Sequence, residues 1–338
     1  MREKRVFCGI LFAVLLMFVL ANPAFGEESA DEDYIKWVEF NVTTAALKET
    51  LALDIETYAT DTHLSWIELL AVLACKYGGD FDSYKTADLN KLTERLRAGE
   101  TIAGITADFE HYDYYFTVYS AVLGEFVGEY RVQIVSEEPN GTPQWESRYG
   151  LKAYHPIAAG FSYQHFDDFG MGRNYGYRRR HLGHDLFGAV GTPIVAVESG
   201  VVEALGWNQY GGWRVGIRSF DGLRYYYYAH LRQNRPYHCD LEQGQTVKAG
   251  DVIGYMGRTG YSHKENTNGI KQTHLHWGLQ LIFHPDQKEG TGEIWVDLYA
   301  LTRLLSQNTS ETYRVAETKE FYRTHDFTES NLENKSEL

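Results

Sequence analysis

The chain has 338 residues, of which 43% are hydrophobic and 23% charged, and its net charge is −14. That length allows two ordinary domains with a sizeable core, and that balance is globular rather than disordered. So acidic a surface repels phosphates, which counts against nucleic acid as a partner and against tight adhesion to an anionic membrane.

Met1–Arg5 is basic, Val6–Ala21 is apolar without a charge, and Ala24, Phe25 and Gly26 offer small residues at the cleavage subsites. This is the pattern of a secretory signal peptide over residues 1–26, with a retained membrane anchor as the alternative. The protein is therefore expected to be secreted or held at the cell envelope, touching membrane only through that segment. Its removal takes away three basic and one acidic residue and leaves a net charge of −16. Two cysteines then remain, Cys75 and Cys239, too few for a disulfide framework and expected to be free or buried.

Residues 27–135 read as a small helical domain. Trp66, Leu70, Leu73 and Tyr77 recur at helical spacing, and Gly78-Gly79 ends the run. Thr86 is a plausible N-cap for a helix carrying Leu89, Leu92 and Leu96, ended by Gly99. Tyr115, Tyr119, Val122 and Phe126 mark a third helix. Glu68, alone on its helix, reads as a solvated charge.

Ser136–Pro143 is polar and turn-rich, so residues 136–160 are expected to be a linker. The period then changes. Short apolar runs separated by glycine lie at Ile194–Val197, Val201–Leu205, Arg214–Ile217, Leu223–Tyr228, Val252–Met256 and His274–Ile282. Strands at this spacing predict an α+β protein, its helices followed by a mostly antiparallel, sandwich- or barrel-like β domain over 161–305. Asp297 caps a closing helical turn, and 306–338 is expected to be a frayed polar tail.

Within the β region, Gln272–Gln280 (QTHLHWGLQ) carries His274 and His276 two residues apart, hence on one face of a strand. Upstream lies His181-Leu182-Gly183-His184-Asp185. Imidazole and carboxylate are both good zinc ligands, and His181 and Asp185 need a third, which either His274 or His276 can supply. Three protein ligands leave a position open, as in a catalytic zinc site. His230, in Tyr228-Ala229-His230-Leu231, adds a histidine at a strand end.

Taken in order, HLGHD (His181–Asp185), GTPIVAVESGVV (Gly191–Val202), YAHL (Tyr228–Leu231), GQTVKAGDVIGYMGRTG (Gly244–Gly260) and HLH (His274–His276) resemble the lysostaphin/LytM-type zinc endopeptidases of bacterial cell walls, which share a duplicated-hybrid-motif fold. The resemblance implies Zn2+ held by His181, Asp185 and His276, with His230 and His274 as catalytic histidines that are not ligands. It leaves His184 at a variable position, outside the ligand set. It implies a peptide of peptidoglycan as the substrate. Tyr175 and Tyr177 are further candidates for oxyanion support. Two departures stand out. Thirteen residues, YSHKENTNGIKQT (Tyr261–Thr273), separate Gly260 from His274, and WGLQ follows the His-x-His pair; the long insertion is expected to reshape the rim of the groove. A non-catalytic scaffold of the same fold, acting in division or sporulation, is the competing reading, and a zinc hydrolase of another substrate a third.

Overall fold

A computed structural model describes residues 34–134, 143–175, 177–288 and 292–333; the signal segment and residues 136–142 of the expected linker lie outside the described residues. No helix among the described residues is long and apolar enough to cross a membrane.

The chain opens with helices α1 (Thr44–Thr57), α2 (Trp66–Tyr77), α3 (Thr86–Arg97), α4 (Ile102–Thr106) and α5 (Tyr112–Leu123). In α2, Trp66, Leu69, Leu70 and Leu73 are buried. Its first N–H, on Trp66, donates to the buried carboxylate of Asp54 at 2.8 Å. Its end is set by Gly78 in the left-handed region (φ 62°), a conformation that costs glycine nothing. In α3, Thr86 is the first helical residue rather than the cap, which falls on Lys85.

Strands follow: β1 (Val127–Ile134), β2 (Gln144–Leu151), β3 (Gln164–His165), β4 (Gly172–Tyr175), β5 (Tyr177–Arg180), β6 (His184–Phe187), β7 (Pro193–Val195), β8 (Gly200–Asn208), β9 (Gly212–Ser219), β10 (Arg224–Ala229), β11 (Thr246–Val247), β12 (Val252–Tyr255), β13 (His274–Leu281) and β14 (Ile294–Trp295). The principal sheet runs β11-β8-β9-β10-β13-β6-β3, with β14 also on β13, and every pairing in it is antiparallel. It stays open, so the barrel-like expectation gives way to an open antiparallel sheet. β7 and β12 form a separate pair beside it.

Two expectations, for the linker and for the C-terminal tail, meet a different structure. The segment expected to link two domains pairs as β2 against the whole of β1, from Val127 opposite Leu151 to Ile134 opposite Gln144, and then buries Ala153, Ile157 and Ala158. After helix α6 (Tyr299–Leu305) the expected frayed tail folds as β15 (Thr312–Arg314), β16 (Phe321–Arg323), β17 (Phe327–Thr328) and α7 (Ser330–Glu333). β17 adds to the free edge of β1 and buries Phe327 completely. Two of the tail's acids are buried against cationic or phenolic partners. Glu329 accepts from Lys152 Nζ at 2.5 Å, and Glu320 accepts from Arg235 and Tyr255. A polar composition hid these residues because each is satisfied by a distant partner rather than by water.

Helices and sheet share one core within a single compact unit, Ile35–Leu338, in which Leu69 and Val122 belong to the same apolar cluster as Leu275 and Trp277. Fully buried Arg224 on β10 makes a bidentate pair with Glu198 (2.8 and 3.1 Å) and donates to the carbonyl of Ala121 near the end of α5 at 2.7 Å.

His155, fully buried, accepts from the Ile157 N–H through Nδ1 at 3.1 Å. Burial pushes its pKa down to about 4. Because the unfolded imidazole titrates near 6.5, the unfolded chain binds a proton between these values that the native chain refuses. The stability contributed is intact above pH 6.5 and is lost as the pH falls towards 4, by roughly 3 kcal/mol for a shift of this size. Denaturant unfolding at pH 7 and at pH 4.5 should show the loss, and His155→Gln should flatten it.

Candidate metal centre

β13 explains why two histidines share a face. Leu275, Trp277, Leu279 and Leu281 are fully buried, so this side of the strand is fixed against the core. His274 and His276 must then point the other way. On the neighbouring β10 (RYYYYA) the same alternation sorts four tyrosines. Tyr226 and Tyr228 are fully buried, while Tyr225 and Tyr227, opposite Gln280 and Gly278, line the groove that contains the histidines. β6 pairs on the far side of β13 and sets Asp185 opposite His276.

His181, just ahead of β6, completes a cluster. His181 Nε2 lies 3.1 Å from Asp185 Oδ1 and 3.1 Å from His276 Nδ1, and the last two atoms are 2.9 Å apart. The donor set tests what this cup can hold. His181 Nδ1 faces Asp168 Oδ1 at 3.1 Å, a carboxylate that only accepts, so Nδ1 carries the hydrogen and Nε2 turns a lone pair inward. Asp185 Oδ1 and His276 Nδ1 point lone pairs at the same spot. Three such lone pairs about 3 Å apart fit a cation, since ligand atoms about 2.0–2.1 Å from a tetrahedral zinc stand roughly 3.3 Å from one another. Asp168 fixes the tautomer and ring direction of His181, as the outer partner of a metal-binding histidine does.

Asp168 and Arg173 were invisible in the sequence. Arg173, on β4, donates to Asp185 Oδ2 at 3.0 Å and also pairs with Asp168. Nothing in spacing alone joins residues 168 and 173 to residue 185. Burial pushes the Asp185 carboxyl up, but the His181 and His276 rings outweigh it and hold the carboxyl well below the usual range. Burial pushes the His276 pKa down, opposed by Asp185.

Gly183, at the centre of HLGHD, is required by contact. A Cβ there would sit 2.5 Å from His276 Cε1 and 2.9 Å from the carbonyl oxygen of Trp277. The glycine lets the His276 ring pass directly beneath the backbone that carries His181 and Asp185.

His230 and His274 flank the cup. Their rings are 4.7 Å apart between centroids, and His274 Nε2 is 3.7 Å from Asp185 Oδ1. His230 Nδ1 is 2.9 Å from the Thr259 carbonyl oxygen, and His274 Nδ1 is 2.9 Å from that of Gln272. A carbonyl only accepts, so in each ring Nδ1 is the N–H and Nε2 is left with a lone pair. His230 has φ 63°, in the left-handed region, which fixes its ring at the end of β10. Burial, then His274 and His276, push its pKa well down. His184, one residue from Asp185, faces the opposite side of β6, where its Nε2 lies 2.8 Å from His165 Nδ1. The side chains of Tyr175 and Tyr177 lie outside the described residues.

The groove holding this cluster has a volume of about 750 Å3. Ile270, Lys271 and Gln272 of the long insertion form part of its wall, with Tyr210 and Gly211 from the turn between β8 and β9. Trp213 packs against Trp207 and Tyr237, and its indole N–H donates to Asn266 of the insertion at 2.9 Å, so it supports the wall from behind.

Residues 179–288 match the model of peptidase family M23. A stretch of 124 residues is 40% identical to an L-Ala–D-Glu endopeptidase of Bacillus subtilis, covering 37% of this chain and 36% of that protein. Over 83 residues the chain is also 40% identical to lysostaphin of Staphylococcus simulans, covering 24% of this chain and 16% of that protein. The chain thus spans about a third or less of the length of these relatives. Among solved structures, a candidate glycyl-glycine endopeptidase, lytM, of Ruminococcus gnavus aligns over 78% of this chain and 91% of its own, with 25% identity and a TM-score of 0.49. The segment that supplies His181, Asp185, His230, His274 and His276 is a peptidase family M23 domain of the lysostaphin/LytM type.

Proposed function

We propose that the protein is an exported zinc-dependent endopeptidase that hydrolyses a peptide bond in bacterial peptidoglycan. The observation that carries this reading is the convergence of His181 Nε2, Asp185 Oδ1 and His276 Nδ1 within 3.1 Å of one another at the floor of an open groove, with His230 and His274 beside them. The relatives' names supply the substrate class, since they include an L-Ala–D-Glu endopeptidase and a peptidoglycan DD-endopeptidase of Vibrio cholerae. The basic and apolar N-terminal segment supplies the export. A non-catalytic scaffold would have no use for two histidines whose Nε2 atoms are both left free by backbone acceptors.

In this reading His181, Asp185 and His276 hold the zinc, which when bound supplies a Lewis acid that polarises a carbonyl and makes water more acidic. The remaining work falls to the chain. Asp168 holds His181 in its inward tautomer, and Arg173 occupies the second oxygen of Asp185, leaving Oδ1 for the metal. Of His230 and His274, one takes the proton from the attacking water at Nε2. The base then passes that proton to the leaving amine, and the other ring, once it has taken up a proton from solvent at its own Nε2, donates a hydrogen bond to the oxygen that gains charge. The Thr259 and Gln272 carbonyls keep both rings aimed.

Purified protein should contain one zinc per chain and should release peptides from purified cell wall, with release abolished by a chelator and restored by zinc. Persistent release after metal removal, or no release from the zinc-loaded protein, contradicts the assignment. His230→Ala and His274→Ala should keep their zinc and lose about 10²–10⁴-fold in kcat, whereas His181→Ala and His276→Ala should lose the metal itself. Gly183→Ala should weaken zinc binding by at least about tenfold, read by competition with a chromogenic chelator, because its methyl group displaces the His276 ring. Asp168→Asn should weaken binding by roughly 10–100-fold by the same assay.

A further inference from the structure

The groove inverts the charge of the molecule that surrounds it. The whole chain carries −14, yet Arg173, Arg179, Arg180, Arg214, Lys271 and Lys288 line the groove against only Asp185 and Glu293. Two of these cations have already been neutralised: Arg173 by Asp168 and Asp185, and Lys288 by Glu203. Among the described residues, neither Arg179 nor Arg214 pairs with a carboxylate, and the Nε of each is buried without a hydrogen-bond partner.

Both guanidiniums are positioned rather than loose. Arg179, on β5, lies over the Tyr210 ring at 5.5 Å and the Tyr261 ring at 5.2 Å, and donates to the Tyr261 hydroxyl. Arg214, on β9, precedes Val215, which pairs with Tyr228 on the core side of the sheet, so alternation turns Arg214 into the groove. Tyr227 lines the same groove as both, and its ring centroid is 6.0 Å from that of His276. Burial pushes the Tyr227 phenol up, while Asn208, Arg214 and Arg179 pull it the other way, which puts both cations within electrostatic reach of this phenol.

We propose that Arg179 and Arg214 form a carboxylate-reading subsite in the groove they share with Tyr227, beside the metal cup, that selects substrate peptides bearing a free carboxylate next to the scissile amide. The inference rests on the peptidase reading above and adds to it the chemical feature by which the substrate is chosen. A guanidinium fork matches a carboxylate in shape, and its hydrogen bonds are charge-assisted. The surrounding aromatic wall of Tyr210, Tyr227 and Tyr261 lowers the local dielectric and strengthens them. The acidic net charge then serves the same end, since it disfavours an anionic peptide on the rest of the surface taken as a whole.

The test compares two synthetic wall peptides, one with a free carboxylate beside the scissile bond and one with that carboxylate converted to the amide. The zinc-loaded wild-type protein should cleave the carboxylate form with a kcat/KM roughly 10–100-fold higher, chiefly through KM. In Arg179→Gln and Arg214→Gln that ratio should fall towards one, with zinc content and melting temperature serving as checks of the fold. Equal cleavage of the two peptides by the wild-type protein, or preference for the amide, overturns the subsite and leaves the peptidase assignment standing. Cleavage of neither peptide by zinc-loaded protein overturns that assignment and the subsite with it.

Discussion

The register of β13 against β6 is the constraint on which the rest of the site depends. It sets His276 opposite Asp185, and a slip of β13 by one residue would carry His274 and His276 to the core face and bring Trp277 into the groove. The register is held from the other side of the sheet. Leu275, Trp277, Leu279 and Leu281 are completely buried, and every one of them would face the groove after such a slip. Burying four large apolar side chains is worth roughly 1.5–3 kcal/mol each, far more than a single site contact. His274 and His276 are therefore positioned by residues on the other face of the strand, which never touch the cup.

The same logic accounts for parts of the chain that carry no chemistry. β10 lies between β13 and β9, and Arg224 at its start is anchored to Glu198, Asp221 and the Ala121 carbonyl at the end of α5. A buried ion pair of this kind is weak as a source of net stability, because desolvation offsets the attraction. It is strong as a source of position, since removing either partner leaves a bare charge in the core. Through it the helical segment braces the strand that carries Tyr225, Tyr227 and, at its end, His230. The C-terminal segment contributes similarly by pairing β17 with β1 and burying Phe327.

Much of the site was legible because its residues lie at fixed spacings on local elements. The His-x-His pair reads from strand alternation alone, and the strands around it agree with the observed ones to within a few residues. His230 reads from the strand end in which it sits. What stayed hidden is what depends on residues far apart in sequence. Asp168 touches His181 across a pair of strands, and Arg173 touches Asp185 from β4, yet neither belongs to a pattern that can be recognised without the fold. The tail failed for a related reason. Hydrophobic periodicity detects apolar burial, whereas Glu320 and Glu329 are buried by pairing with Arg235 and Lys152, and no local pattern announces a partner 85 or 177 residues away. The shared core of helices and sheet was likewise unreadable, since a composition shift looks the same whether two segments form separate domains or pack against each other.

The charges immediately around the cup bear on what it can do once filled. Asp168 and Asp185 bring two negative charges and Arg173 one positive charge, while His181 and His276 as ligands are neutral. The protein thus offers a net charge of −1 to a divalent ion, and the filled centre remains positive. A third uncompensated carboxylate would bind the ion more tightly and quench its power to attract electrons from a substrate carbonyl. A structural zinc site, closed by four ligands and often by several thiolates, gives up that power for affinity. Arg173 donates to one oxygen of Asp185, the cup opens to a groove, and the backbone carbonyls that accept from Nδ1 of His230 and His274 leave both Nε2 lone pairs free beside it. Under the proposed function that combination would trade binding strength for reactivity, which is the balance a hydrolytic centre needs and a structural one does not.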